Sequence, residues 1–184
     1  KVLLIEDSDS DASLVLTRLR GVETKTDVLR AATAFEGKNI LARESVGVVL
    51  LDLNLPDSVG LETFESLYAS FPQVPFVILS GVDDGELTTM AMRAGAQDYL
   101  PKGHADGDAL VRAMLFAIER CRRDAVERRL RITQHEFEAA RKIQCDLLPK
   151  EPPSLAGFDL AGACRPAEAT GGDCFDFISM PNNT

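Results

Sequence analysis

Five residues of this chain are of types that could do chemistry together: Glu6, Asp7, Asp52, Ser80 and Lys102. Each ends or follows a short apolar run. Glu6 and Asp7 follow Val2–Ile5, Asp52 closes Val48-Val49-Leu50-Leu51, Ser80 closes Phe76-Val77-Ile78-Leu79, and Lys102 follows Tyr99-Leu100-Pro101. If these run ends converge, they assemble three carboxylates, one hydroxyl and one ammonium. Three adjacent carboxylates repel one another and cost stability unless a cation joins them. Hard oxygen ligands with a partly open coordination sphere suit Mg²⁺. Asp52 would then be a nucleophile toward phosphorus and become an acyl phosphate. Such a transfer asks mainly for positioning and charge neutralisation. Lys102 can neutralise one phosphoryl oxygen, and Ser80 can donate a hydrogen bond to another.

The elements that must position these residues alternate through the first 120 residues. Strand signals fall at 2–5, 26–31, 48–51, 76–79 and 98–100. Between them lie helical spacings: Leu14, Leu16 and Leu19 up to Gly21; Phe35, Ile40 and Leu41 before Gly47; Leu61, Phe64 and Leu67; and Leu87, Met90, Ala91 and Ala94 closed by Gly95. Near-continuous apolar strands alternating with helices predict an α/β fold whose parallel sheet is covered on both faces. Five such units fit a flavodoxin-like doubly wound sheet. Its chemistry sits at the carboxyl ends of the strands, where the five residues fall.

From there the chain can be compared with a family. Residues 1–120 resemble the receiver domain of two-component response regulators. The likeness rests on Leu3-Leu4-Ile5-Glu6-Asp7, on Leu50 to Asp57 (Leu-Leu-Asp-Leu-Asn-Leu-Pro-Asp), on Val77-Ile78-Leu79-Ser80-Gly81, and on Ala94 to Lys102 (Ala-Gly-Ala-Gln-Asp-Tyr-Leu-Pro-Lys). The resemblance implies that Asp52 is the phosphoacceptor and a histidine kinase the phosphodonor. It implies Mg²⁺ on Glu6, Asp7, Asp52 and the Asn54 main-chain carbonyl, with Ser80 and Lys102 on the phosphoryl group. Glu6 stands where many relatives have Asp. A phosphoryl group on Asp52 would draw the Ser80 hydroxyl inward and free space for the Tyr99 ring, a two-state switch biased by local charge. Read by itself, Tyr99 is a half-exposed packing residue.

Beyond the sheet, residues 108–148 contain no Gly or Pro, which predicts a helix of roughly 40 residues. Val126, Leu130, Thr133, Phe137, Ala140, Gln144 and Leu147 recur in steps of four and three, a heptad seam weakened by Thr133 and Gln144. A helix with so narrow an apolar stripe needs a partner. A parallel coiled coil with a second copy is one remedy, and packing on a further domain is the other. Residues 121–149 are thus read as a helical coiled-coil linker and residues 150–184 as the start of a larger unit. That start reads as a short β fragment, with strands at Phe158–Cys164 and Cys174–Ile178 around a Gly171-Gly172-Asp173 turn.

Ala140-Arg141-Lys142-Ile143-Gln144, Leu147-Leu148-Pro149, Arg165-Pro166-Ala167 and Gly171 to Phe177 resemble the opening of SpoIIE-like serine/threonine phosphatases of the PPM superfamily, an α+β fold. In such enzymes paired Mn²⁺ or Mg²⁺ ions activate water. The resemblance makes Asp173 a candidate metal ligand and Arg165 a phosphate contact. The later acidic motifs are absent, so this chain is not expected to be an active phosphatase by itself. The intact protein is expected to couple the receiver to an output phosphatase acting on a downstream regulatory protein. The alternative is an adaptor that binds a partner through a degenerate output domain.

Composition narrows the function classes. Residues 1–107 hold 9 Lys and Arg against 17 Asp and Glu, residues 108–150 hold 10 against 7, and residues 151–184 hold 1 against 5. The acidic front argues against nucleic-acid binding, and no helix-turn-helix pattern follows it. The arginines from Arg122 to Arg131 are interleaved with acids and read as a solvated helix face. Asp9, Asp11, Asp57, Asp83 and Asp84 read as solvated turn or cap residues, and His104 and His135 as surface residues. Cys121, Cys145, Cys164 and Cys174 form no Cys-x-x-Cys pair, so reduced thiols in a cytoplasmic protein are expected. No apolar stretch is long enough for a membrane span. The first residue is Lys, not Met, so residues are expected to precede it.

Overall fold

The computed structural model describes residues 1–184 apart from 23–25, 82–84, 103–105, 155, 158, 165–170, 172–173 and 179–184, and apart from the side chain of Ser80. Its elements run β1 (Val2–Ile5), α1 (Asp9–Arg20), β2 (Val28–Ala31), α2 (Ala34–Arg43), β3 (Val48–Asp52), a two-residue pair β4 (Asn54–Leu55) and β5 (Ser58–Val59), α3 (Leu61–Ser70), β6 (Phe76–Ser80), α4 (Gly85–Ala94), β7 (Asp98–Pro101) and α5 (Gly107–Leu147). The chain divides into two compact units, Lys1–Ala125 and Val126–Thr184.

In the first unit, β2-β1-β3-β6-β7 form one sheet, and every pairing in it is parallel. Successive strand residues point to opposite faces, and two cores follow from that alternation. Val2, Leu4, Val48, Leu50, Val77 and Leu79 face Ala12, Val15 and Leu19 of α1 and Leu110, Ala113, Met114 and Ala117 of α5. Leu3, Ile5, Val49, Leu51, Phe76 and Ile78 face Leu41 of α2, Phe64 and Leu67 of α3 and Ala91 of α4. Burial on both faces explains why these strands read as unbroken apolar runs rather than alternating ones. The flavodoxin-like sheet expected from the sequence is therefore present, with its strands in the doubly wound order.

Local chemistry sets the helix ends near the site. Ser8 caps α1 by accepting the Asp11 N–H on its hydroxyl. Thr33 caps α2 by accepting the Glu36 N–H. Asp57, from the turn between β4 and β5, accepts the Ala34 and Phe35 N–H groups at 2.9 Å each. The free donors of the first turn of α2 are thus satisfied by two different stretches of chain. Gly60 carries φ of 71° where the β4–β5 pair turns into α3, a backbone state that side chains disfavour. The carbonyl of Leu53 there accepts both the Gly60 N–H and the Thr63 hydroxyl.

The helix predicted over 108–148 is observed as the 41 residues of α5. In the second unit, Val126, Leu130, Phe137 and Leu147 are exposed. The Gln144 side-chain amide pairs twice with the main chain of Gly171: its Nε2 donates to the Gly171 carbonyl at 2.6 Å, and its Oε1 accepts the Gly171 N–H at 2.9 Å. Gln144, which weakens the heptad seam as a polar residue, is therefore engaged with its own chain.

The β fragment expected over 158–178 is corrected. Residues 159–164, 171 and 174–178 are not in strands. Alternation of apolar and polar residues supplies a face, but a strand also needs a hydrogen-bonded neighbour, and none pairs with these residues among those described. Arg165 and Asp173 lie outside the described residues.

Candidate functional site

The carboxyl ends of β1, β3, β6 and β7 lie along one edge of the sheet because all these strands run in parallel. Register places them side by side. Ile5 pairs with Leu51, Asp52 with Leu79, and Ser80 with Pro101. Glu6, Asp52 and Lys102 are one residue or less beyond these paired positions. One carboxylate oxygen from each of Glu6, Asp7 and Asp52 lies within 4.8 Å of the other two. The cluster predicted from strand ends is therefore assembled.

Its members sit in different environments. Glu6 is fully buried, Asp52 is 5% exposed, and Asp7 is exposed. The Lys102 ammonium is 2.7 Å from Asp52 Oδ2 and 2.8 Å from Glu6 Oε2, and 3.7 Å from Asp11 Oδ2. Asp52 Oδ1 accepts the Asn54 N–H at 3.2 Å, and Glu6 Oε1 accepts the Ser8 N–H at 3.2 Å. The Glu6–Lys102 contact is an ion pair, and the buried Oε2 accepts no hydrogen bond among the described residues, so it keeps acceptor capacity.

Burial pushes the Glu6 carboxyl above its ordinary value, against the close contact with the Lys102 ammonium, and the Asp52 charge adds to the rise. For Lys102, burial is the largest single influence and pulls the ammonium down. The close contacts and charges of Asp52 and Glu6 together outweigh it, and the net direction is upward. Lys102 is thus charged at neutral pH and holds two carboxylates that would otherwise be buried without a counter-ion. Three carboxylates against one ammonium leave negative charge in the cluster. That imbalance, with three hard oxygen donors in one small space, fits a divalent cation of the Mg²⁺ type.

Other expected residues fall as follows. The Ser80 main chain ends β6 opposite Pro101, and its side chain is outside the described set. Tyr99 lies on β7 with half of its surface exposed. Asp9, Asp11 and Asp57 do more than face solvent: Asp9 pairs with Arg30 at 2.7 Å, Asp11 approaches Lys102, and Asp57 caps α2. Asp83, Asp84 and His104 lie outside the described residues. His135 is exposed, 3.7 Å from Glu138.

Arg30 is a residue that sequence reasoning passed over. Its Nη2 donates to the main-chain carbonyls of Glu6 at 3.3 Å and Asp7 at 3.4 Å. The available signal was a lone charge in the second strand, Val28-Leu29-Arg30-Ala31.

Comparison with known proteins agrees with this geometry. Residues 2–114 match the family model described as the response regulator receiver domain. A protein-glutamate methylesterase/protein-glutamine glutaminase of Azospirillum brasilense is 26% identical over 181 residues, covering 93% of this chain and 43% of that protein. The photosynthetic apparatus regulatory protein RegA of Rhodobacter capsulatus is 32% identical over 120 residues, covering 62% of this chain and 60% of its own length. The chain thus spans less than two thirds of either relative. A response regulator receiver domain protein from Clostridium thermocellum superposes with a TM-score of 0.58 at 27% identity, over 65% of this chain and 94% of that one. The receiver domain of NtrX from Brucella abortus gives 0.59 at 25% identity, over 65% and 98%.

Proposed function

Since this chain belongs to the response regulator receiver domain family, we propose that Asp52 is its phosphoacceptor and a histidine kinase its phosphodonor. The observation that carries the reading is the environment of Asp52. Its carboxylate is nearly buried at the end of β3, held by the Asn54 N–H and the Lys102 ammonium, beside Glu6 and Asp7.

An Asp52 carboxylate oxygen attacks phosphorus, and the bond from phosphorus to the donor imidazole nitrogen breaks. The electron pair of that bond leaves with the imidazole, which takes up a proton. The product is an acyl phosphate. Glu6, Asp7, Asp52 and the Asn54 carbonyl would hold Mg²⁺, which would supply charge neutralisation for the incoming anion. Lys102 neutralises a phosphoryl oxygen, and the Ser80 hydroxyl donates to another. The Tyr99 ring, half exposed on β7, then has room to turn inward.

The output follows from residues 121–184. α5 carries the signal as a dimerising helix, and the unit begun at residue 150 is a serine/threonine phosphatase whose metal ligands include Asp173. An enzymatic output is supported by the enzymatic name of the Azospirillum relative, which matches along 93% of this chain. The class of reaction rests on the SpoIIE-like stretch from Ala140 to Phe177. The Gln144–Gly171 pairing supports the helix and the following segment acting as one piece.

Intact mass after incubation with Mg²⁺ and acetyl phosphate tests the reading. One phosphate on the parent and none on Asp52→Ala is expected, with a change in sedimentation on phosphorylation. Equal labelling of the two proteins refutes Asp52 as acceptor, and monomeric sedimentation at high concentration refutes the dimerising helix.

A further inference from the structure

Among the three carboxylates of the cluster, Asp7 is held least. Glu6 is fixed by the Ser8 N–H and Lys102, and Asp52 by the Asn54 N–H and Lys102. The Asp7 carboxylate has no hydrogen bond or ion pair among the described residues, and the residue is exposed. A ligand that must share a cation with two fixed partners needs its own orientation set by something else. One group in the structure does so.

Arg30 lies on β2 opposite Leu4, two residues short of Glu6. Its side chain reaches past the end of β1. Nη2 is shared by the carbonyls of Glu6 and Asp7, and Nη1 pairs with Asp9 Oδ1 at the start of α1. The Glu6 carbonyl belongs to the peptide before Asp7, and the Asp7 carbonyl to the peptide after it. Holding both peptide planes fixes the backbone on either side of the Asp7 α-carbon and so aims its side chain. The ladder bond from the Glu6 N–H to the Ala31 carbonyl at 2.9 Å anchors the same turn from β2. A planar fork with several donors can hold two carbonyls and a carboxylate at once, while an ammonium on a flexible stem cannot do so in one geometry.

We propose that Arg30 is a positioning residue for the divalent-cation site, acting on Asp7 through the main chain. The inference rests on the phosphoacceptor reading above. It also carries a sign that a simple charge argument reverses. Arg30 is a cation beside a cation site, so removing its charge by itself would tighten Mg²⁺ binding. Removing a positioning clamp loosens it, and residues that orient metal ligands typically contribute about tenfold or more in affinity.

The test is calorimetric titration of Mg²⁺ into the parent, Arg30→Ala and Arg30→Lys, each checked for a cooperative melt, followed by acetyl phosphate labelling at limiting and saturating Mg²⁺. The expected result is an Mg²⁺ Kd raised about tenfold in Arg30→Ala and raised less in Arg30→Lys, with labelling restored to the parental rate at saturating Mg²⁺. An unchanged or tighter Kd in Arg30→Ala overturns the proposal. If Arg30→Ala fails to melt cooperatively, Arg30→Lys decides with its charge unaltered: a weakened Kd supports the clamp, and a parental Kd overturns it. A parent that binds no Mg²⁺ defeats the receiver reading itself, whereas a binding parent with unaffected variants defeats the Arg30 role alone.

Discussion

Replacing Lys102 by Met tests whether the site is held together by charge. The substitution keeps the length of the stem and deletes the ammonium. In the parent, Lys102 is 22% exposed, and its partners are less so: 1% for Glu6 and 6% for Asp52. At 2.7 and 2.8 Å the gross attraction is roughly 6 kcal/mol per pair at an effective dielectric constant of about 20. Desolvation of the three groups offsets most of it. Breaking a buried pair by removing one partner typically costs 3–5 kcal/mol. Partial exposure of Lys102 lowers that to about 2–4 kcal/mol.

The pH dependence of this variant has a definite sign. The folded Glu6 carboxyl already binds its proton at higher pH than in the unfolded chain. A group shifted upward favours the folded state when protonated, so its folded form gains stability as pH falls. Without Lys102 the influence that opposes the shift disappears, and the shift grows. Urea melts of Lys102→Met should therefore show a deficit of about 2–4 kcal/mol at pH 8 that shrinks toward pH 5. Added Mg²⁺ should shrink it as well, because a ligand that binds only the folded state stabilises it. In the parent, the Lys102 contribution is present through neutral pH and is lost as pH rises through its raised folded pKa. A variant within about 0.5 kcal/mol of the parent at pH 8, or one further destabilised by acid relative to the parent, refutes the reasoning.

Two further substitutions test the frame around the site. Asp57→Ala should lose about 1 kcal/mol by urea melt, the usual contribution of a helix cap. Backbone N–H groups of Phe35 and Ala34 outweigh burial and hold the Asp57 carboxyl below its ordinary value. Its contribution is thus present at neutral pH and fades as pH falls through that lowered pKa, so parent and variant melts should converge in acid, and parallel curves would count against the cap. Gly60→Ala places a Cβ 3.7 Å from Leu87 Cδ2, an ordinary contact, at a φ of +71°. The expected loss is therefore conformational, about 1–3 kcal/mol, and an unchanged melting temperature would show that the turn relaxes.

Much of this molecule was legible in the sequence because the signals are local. Unbroken apolar runs such as Val48 to Leu51 mark strands buried on both faces. Gly21 and Gly95 close α1 and α4, and the Gly- and Pro-free stretch from Asp108 foretells α5 almost to the residue. The ends of those runs name Glu6, Asp7, Asp52, Ser80 and Lys102 before any fold is known. The parallel sheet then has little freedom in where it places them.

What only the tertiary structure decided is which of these residues hold one another. Lys102 closes on Glu6 and Asp52 rather than on Asp7, because the β1–β3 and β6–β7 registers bring the first two under its ammonium. Arg30 reaches the Glu6 and Asp7 carbonyls from 23 or more residues away, and Asp57 caps a helix that starts 23 residues before it. The alternation in 174–178 promised a strand, but no neighbour pairs with it among the described residues. Periodicity reports what a segment can bury. Hydrogen-bond and charge partners depend on which distant backbone arrives alongside, and that is fixed only when the sheet closes.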